Sequence, residues 1–447
     1  MNQLARHGLH DQHDERWSIY GQFTWISSFK LPFQAQYSNL NGTPDSLRTD
    51  FEHSFTGTLS LYAGLRLWPG AELYVAPEVI TSQPLSGLTG LGGTIQNFEL
   101  QKQGSVVPTP YLSRVYLRQT IRLGGAVTER GADAMQLGAH VDARRVVITV
   151  GNFSVLDLFD RNAYAGDLRR QFFNMAFLTH SAFDFAADAR GYTWGAVVEL
   201  YFDRWAVRVG HAIVPVNPNQ LALDFRFWEH FGEQLELEHS HSIGGLPGAV
   251  RVLAYRNQEV MGRFDDALAA LAANPAHNAA SCTAFSYGSP NATAPDLCWA
   301  RRPNVKTGVG INLEQSLGHG LGVFARAMYS DGGSEVYSYT SADRSFSVGA
   351  LARGALWHRP FDYAGIGFGA GFISASHAEY LRRGGVDGFV GDGNLTAAVE
   401  SAFETFYGVH LASSIWLSGD YQFIANPGFN AARGPVHVLG ARLHAEF

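Results

Sequence analysis

No segment of the sequence approaches the roughly 18 to 20 continuous apolar residues that a membrane-spanning helix requires. Yet 46% of its 447 residues are hydrophobic. A mean hydropathy of −0.07 shows that these residues are diluted by polar ones instead of gathered into blocks. Cysteine is nearly missing. Cys282 and Cys298 are the two present, in one polar segment, with no third or fourth metal ligand placed beside them. A metal pair is the alternative, but a loop-closing disulfide in an oxidising compartment is the expectation. Positive charge is not in excess either: 33 Lys and Arg against 40 Asp and Glu give a net charge of −7, which argues against a nucleic-acid partner. Residues 1–16 are polar and lack the apolar core of a signal peptide, so the chain reads as cytosolic or as already processed.

What the sequence does have is glycine, 49 residues, aromatics at 13%, and alternation. Trp17, Ile19, Gly21, Phe23 and Trp25 share one parity, with mostly polar residues between them. From 55 to 68, Phe55, Leu59, Leu61, Leu65 and Leu67 face one way, and Thr56, Thr58, Ser60, Tyr62 and Arg66 the other. Period two is the strand period. It recurs at about 71–82, 109–122, 143–152, 190–202, 204–214, 231–242, 248–258, 303–316, 320–330, 344–357, 361–373, 401–412, 414–425 and 435–447. Together these predict about sixteen strands, each near the length a tilted strand needs to cross a hydrocarbon layer. Short turns such as Trp68-Pro69-Gly70 and Phe202-Asp203-Arg204 largely alternate with long segments. A transmembrane barrel has that rhythm, with both termini on the short-turn side. Residues 123–142 break it, being too long for a short turn.

A soluble sandwich would alternate too, but sixteen strands without a linker exceed that architecture. Charge sorting points to lipid outside and water inside. Arg442, His444 and Glu446 oppose Leu439, Leu443 and Phe447, and Arg114, Arg118 and Arg122 oppose Val115, Leu117 and Ile121. A lipid-facing Arg near mid-membrane costs about 2–4 kcal/mol, so such sorting fixes register. Trp194 and Trp205, on apolar parities near strand ends, fit an aromatic girdle. The expected fold is therefore an all-β transmembrane antiparallel barrel: a short polar segment, 1–16, then one barrel over 17–447.

Other motifs read as structure. Gly365-Ile-Gly-Phe-Gly-Ala-Gly371 formally matches a dinucleotide pattern, but its glycines alternate with Ile366, Phe368 and Ala370 as a strand with one bare face. His239 and His241 share a face without a third ligand, and Glu236 and Glu238 form an acid pair without a nucleophile. Neither a metal, a cofactor nor an enzyme is expected. The segment 153–189 is dense in charge and aromatics, and it is expected to fold into the barrel and narrow the pore, since about sixteen strands enclose an aqueous channel.

The stretches Thr149-Val-Gly-Asn-Phe-Ser-Val-Leu-Asp-Leu-Phe-Asp160, Ala187-Asp-Ala-Arg-Gly-Tyr-Thr-Trp-Gly195, Ile311-Asn-Leu-Glu-Gln315, Phe324-Ala-Arg326 and Asp420-Tyr-Gln-Phe-Ile-Ala-Asn-Pro-Gly428 are distinctive together. With the terminal Gly434-Pro-Val-His-Val, they make the chain resemble the carbohydrate-selective porins, the OprB family of bacterial outer membranes. The resemblance implies a sixteen-stranded outer-membrane porin passing small neutral sugars, with an eyelet of arginines, acids and aromatics. It also implies that Phe447 is the terminal aromatic read during assembly. Asn152 departs from it, standing where a basic residue is expected after Val150-Gly151.

Sugars offer a ring of hydroxyls, which bidentate guanidiniums and carboxylates recognise, and an apolar C–H face that aromatics cover. On parity, Arg66, Arg114, Arg118, Glu236, Lys306, Glu314 and Arg326 are candidates from the wall. Asp157, Asp160, Tyr164 and Arg169 are candidates from the long segment, and Arg114 and Arg118 lead. Lipid and lipopolysaccharide are the expected surroundings, as monomer or homotrimer. An anion- or organic-acid-selective porin is the main alternative and a membrane-embedded enzyme a lesser one. An energy-coupled receptor would need a plug domain before the first strand.

Overall fold

The computed structural model describes residues 4–5, 7–275, 291, 293–412 and 414–447. Its strands are β1 Trp17–Lys30, β2 Glu52–Trp68, β3 Ala71–Gln83, β4 Thr109–Arg122, β5 Val127–Arg130, β6 Ala139–Asp142, β7 Arg144–Phe153, β8 Thr193–Phe202, β9 Trp205–Ala212, β10 Phe231–Ile243, β11 Leu246–Gly262, β12 Arg301–Gly318, β13 Leu321–Ser330, β14 Arg344–Arg353, β15 Tyr363–Phe372, β16 Glu400–Ala412, β17 Ile415–Ala425 and β18 Val436–Glu446. Among the described residues the three α-helices are short: α1 Met175–Leu178, α2 Phe264–Ala273 and α3 Ala375–Arg382.

Among the described residues, sixteen of these strands form one closed antiparallel barrel, each paired with its neighbour. β1 and β18 seal it, with Trp25 opposite Leu443 and Lys30 opposite Val438. Phe447 extends the seal by exchanging backbone hydrogen bonds with Gly21 at 2.7 and 2.9 Å. Closure leaves no edge, which a sheet in lipid requires. The parity of β2 is as the alternation predicts: Leu59, Leu61, Leu65 and Leu67 are exposed outside, and Thr56, Thr58 and Ser60 are buried inside. The belt of Leu, Val, Ile and Phe continues around the wall, far beyond the apolar patch a water-facing surface tolerates. Trp194 and Trp205 face outward at opposite ends of the β8–β9 hairpin.

The barrel has a turn end and a loop end. The turn end carries both termini and the tight links β2–β3, β8–β9, β10–β11, β12–β13 and β16–β17. Residues 123–143 lie there too. Their length is explained by β5 and β6, a separate two-stranded hairpin that is not part of the wall. Its tip is held under the lumen: Leu137 is fully buried, its N–H donates to Tyr74 Oη at 2.9 Å, and Arg130 pairs with Glu72. The segment before β1 fastens the hairpin from below, Glu15 accepting from Gly138 N–H at 2.8 Å and His13 meeting Glu129 at 2.6 Å.

At the loop end the long connections fold inward. The expected constriction segment does so, over 154–192, and two others join it. Residues 90–101 are buried throughout, with the Glu400 carboxylate accepting from the N–H groups of Gly92 and Gly93. Residues 332–343 are buried as well, Asp184 accepting from the N–H groups of Tyr337, Ser338 and Tyr339. The expected Cys282–Cys298 disulfide involves Cys282, which lies outside the described residues.

Candidate functional site

The constriction segment divides the lumen into unequal halves. From Tyr164 to Leu178 it fills the side formed by β13–β18. The glycines of β15 make room there: a Cβ on Gly365 would meet Phe406 at 2.3 Å and Phe172 at 3.1 Å, and one on Gly367 would meet Phe177 at 2.8 Å. Phe172, Phe177, Phe324 and Phe406 interlock over that stripe with ring centroids 4.8 to 6.4 Å apart. Such pairs are the edge-on and tilted packings that aromatic quadrupoles favour.

Buried charges lock the segment in place. Asp160 sits fully buried with φ 54°. Its carboxylate accepts from Thr179 Oγ1 at 2.7 Å, His180 N–H at 2.9 Å and Arg326 Nε at 3.1 Å. Arg326 also donates to the carbonyls of Phe177 at 2.9 Å and Ala165 at 2.6 Å. Glu236 accepts from Asp160 N–H at 2.7 Å, and Asn312 donates to the Asp160 carboxylate. Arg442 donates to the carbonyls of Leu168 and Gln171, and Glu404 accepts from Phe173 N–H and Asn174 N–H. Lys306 is buried against Asp184 at 3.0 Å. Burial raises the Asp160 pKa, but Arg326, His180 and the Thr179 hydroxyl outweigh it and hold the carboxyl below its usual range. Burial also lowers the adjacent His180, which Arg326 reinforces against Asp160, to about 4.

Two cavities that meet beneath the segment lie on the other side, along β4–β12; two more open only at the turn end, one of about 820 Å³ beside Arg66 and the hairpin and one of about 390 Å³ below Tyr164 and Gln171. Of the meeting pair, the turn-end cavity, about 530 Å³, is lined by Arg118, Arg145, Glu199, Tyr201, Arg208, Glu238, Arg251 and Glu314, with Arg130 and Gln136 of the hairpin beneath. The loop-end cavity, about 400 Å³, is lined by Phe98, Glu99, Lys102, Arg114, Arg169, Arg190 and Tyr192. Both share Asp157, Arg161 and Asn162, so the partition between them is the first turn of the constriction segment. There Arg114 grips Asp157 with two bonds, Nε at 2.7 Å and Nη2 at 2.6 Å, while its guanidinium lies 5.1 Å over the Tyr192 ring. Arg169 pairs with Glu99 at 2.5 Å, and Lys102 bridges Glu78 and Glu99 at 3.0 and 3.5 Å. Despite burial, Arg169 and Lys102 keep the Glu99 carboxyl below its ordinary range.

The candidates from wall parity and from the long segment thus fall into three groups. Arg114, Arg118, Asp157, Arg169 and Glu314 border the two cavities. Asp160, Glu236, Lys306 and Arg326 are buried and join segment to wall; Asp160 just reaches the loop-end cavity. Arg66 and Tyr164 lie elsewhere. Arg66 pairs with Asp14 and donates to Gly138 O at the turn end, and the Tyr164 ring covers Gly322 near Trp416 and Tyr363. Asn152 is turned away from solvent, donating to the Ser113 carbonyl at 3.0 Å. Glu199, Arg208, Arg251, Arg145, Arg161, Lys102 and Tyr192 complete the lining and were not singled out by spacing, except that lumen parity also marks Glu199. Among the described residues no cluster of three or more His, Cys, Asp or Glu suits a metal ion; His241 instead meets Gln315 at 3.0 Å.

The sequence profile of the carbohydrate-selective porin, OprB family, matches residues 45–447. Among solved structures, the high-pH structure of Pseudomonas putida OprB is similar with a TM-score of 0.69 at 17% identity, covering 96% of this chain and 94% of that one. The outer membrane channel DcaP of Acinetobacter baumannii is similar with a TM-score of 0.52 at 10% identity, covering 96% and 97%. A search of curated proteins finds no match.

Proposed function

The chain belongs to the OprB family of carbohydrate-selective porins, an outer-membrane channel and not an enzyme, and from that premise we propose that neutral sugars cross it along the β4–β12 side of the lumen, through an eyelet at the Arg114–Asp157 partition. The observation that carries this reading is the meeting of two solute-sized cavities at Asp157, Arg161 and Asn162, beside a guanidinium, a carboxylate and an aromatic ring. Cavities of a few hundred Å³ suit a hexose and part of its hydration.

Each group has a chemical task. The Arg114–Asp157 pair presents remaining N–H donors and oxygen lone pairs to hydroxyls, and Arg169 and Glu99 repeat that pairing on the loop-end side. Tyr192 offers a ring face to the sugar's C–H surface. Arg118 and Glu314 receive the solute on the turn-end side, now the periplasmic side by the position of the termini. Because each ion pair is already made, a sugar exchanges water for protein contacts without releasing a buried charge, so binding stays weak and exit stays fast. Asp160, Glu236, Lys306 and Arg326 serve this route indirectly, by keeping the segment folded on the opposite side.

Liposomes containing the purified protein should swell in isotonic glucose faster than protein-free liposomes. Equal swelling would refute the reading. A strong anion current unaffected by glucose would favour a channel for small anions instead.

A further inference from the structure

The acids and arginines around the periplasmic cavity are distributed unevenly. On the wall from β8 to β12, Arg208 serves three carboxylates, Glu199 at 2.9 Å, Glu236 at 2.8 Å and Glu238 at 2.9 Å. Arg251 serves Glu238 at 2.8 Å and Glu314 at 3.2 Å. Four carboxylates therefore share two guanidiniums. Beside that wall, on β4, β7 and the partition, Arg118, Arg145 and Arg161 form no ion pair within 4 Å among the described residues, although Glu72 and Glu199 act on Arg118, and Asp142 on Arg145, from farther away. Arg118 donates to Tyr116 Oη at 3.2 Å and the Met135 carbonyl at 3.3 Å, with its guanidinium 5.1 and 5.3 Å from the Tyr74 and Tyr116 rings. Arg145 donates to the Asp142 carbonyl at 2.9 Å and stacks 3.8 Å from the Tyr201 ring. Arg161 is exposed on the partition itself.

The two faces ask for different groups. The acid-rich wall accepts hydroxyl donors, while the neighbouring face holds three guanidiniums with N–H edges toward the cavity, Arg118 and Arg145 backed by aromatic rings. A guanidinium recognises a carboxylate or phosphate through two parallel bonds, which no neutral hydroxyl matches. A neutral hexose satisfies only one face. We propose that the periplasmic cavity is a binding subsite for an anionic sugar, whose carboxylate or phosphate meets Arg118, Arg145 and Arg161 while its hydroxyls meet Glu199, Glu238 and Glu314. This rests on the sugar-channel reading above and adds a charge preference to it. The subsite adjoins the Arg114–Asp157 eyelet at Arg161 and extends from it toward the β5–β6 hairpin.

The test is block of single-channel current by glucose, glucuronate and glucose 6-phosphate at fixed ionic strength, in the full-length protein and in Arg145→Gln and Arg161→Gln. At least one anionic sugar should block at lower concentration than glucose, and the stronger of the two names the group preferred. Each substitution should lower the anion-to-glucose ratio of block by about two- to fivefold, the range of a partly exposed ion pair. Two substitutions at separate points guard against a local folding defect in either. If both anions block no better than glucose, or if neither substitution changes the ratio, the subsite is refuted while the sugar channel stands. If glucose itself neither blocks nor passes, the channel reading fails first.

Discussion

Inward-facing arginines occupy both sides of this lumen and do opposite things. On the β13–β18 side, Arg326 and Arg442 are almost wholly buried and spend their donors on loop carbonyls. On the β4–β12 side, Arg114, Arg118 and Arg145 remain partly exposed at cavity walls. The difference lies in what each faces. The glycine stripe of β15 lets backbone and aromatic rings approach the wall closely, water is excluded, and guanidiniums become fasteners. The opposite strands carry Tyr116, Tyr201 and a row of acids, which leave space for water and solute. On the function proposed above, the barrel is half filled and its passage runs off-centre.

Breaking the filled side should have the largest effect. Arg326→Ala removes the guanidinium that pairs the buried Asp160 carboxylate, leaving it the neutral donors Thr179, His180 N–H and Asn312, a loss of about 3–5 kcal/mol. Single-channel conductance should rise and become noisy as the segment loosens, and the folded band on unheated gels should melt at lower temperature. A quiet channel of normal conductance would remove the distinction between the two sides.

A pH dependence sharpens the same contrast. His180 is depressed to about 4 from an ordinary 6.5. Below pH 6.5 the unfolded chain binds a proton that the folded one refuses, so stability falls as pH drops from about 6.5 toward 4, by about 3 kcal/mol in all. Asp160, depressed by Arg326 and His180 despite burial, adds a second loss below the ordinary carboxylate pKa, as pH falls through its folded value. Midpoints of unfolding in denaturant between pH 7 and 4 measure the first loss. His180→Gln should flatten that stretch of the profile, and an unchanged profile would place the proton elsewhere.

Filling the stripe comes next. Gly367→Leu would press on Phe177 and Phe172, where even a Cβ meets carbon at 2.8 and 3.0 Å. The expected cost is about 1–3 kcal/mol, with the segment displaced toward the passage and conductance reduced. Gly419→Leu, where a Cβ meets nothing within 4 Å, is the control and should leave conductance normal. The smallest effect on stability, and the clearest on selectivity, belongs to Arg114→Ala. It loses a charge-assisted pair worth about 1–3 kcal/mol locally, widens the eyelet and weakens glucose block. Stronger block in that variant would reverse the role assigned to Arg114.

The wall was legible in the sequence because a strand's facing is decided residue by residue, with period two. Leu59 and Thr58 need no partner to reveal their sides. The hairpin at 127–142 was not legible, since two four-residue strands alternate too briefly to register, and its burial depends on Tyr74 and Glu72 from far along the chain. Lumen parity also could not separate Arg326 from Arg114, because fastening and lining residues share one face. What separates them is which part of the 154–192 segment lies opposite. One signal was available for the second inward loop. Residues 84–98 (PLSGLTGLGGTIQNF) contain no charge at all, unusual for a segment bathed in solvent. The β15 stripe was readable as a bare face, though the rings of Phe172 and Phe177 that occupy it were not.

A passage that runs past the partition on the β4–β12 side, and nowhere through the packed side, should be open to chemical block at one place and not at the other. Single-channel recording with a bulky charged thiol reagent tests it directly, with Arg161→Cys at the partition, Ala176→Cys against Gly369 on the packed side, and the unsubstituted protein as control for the native cysteines. The reagent should remove most of the current through Arg161→Cys and leave Ala176→Cys at control level. Full current through modified Arg161→Cys, or block at Ala176→Cys, would contradict that route.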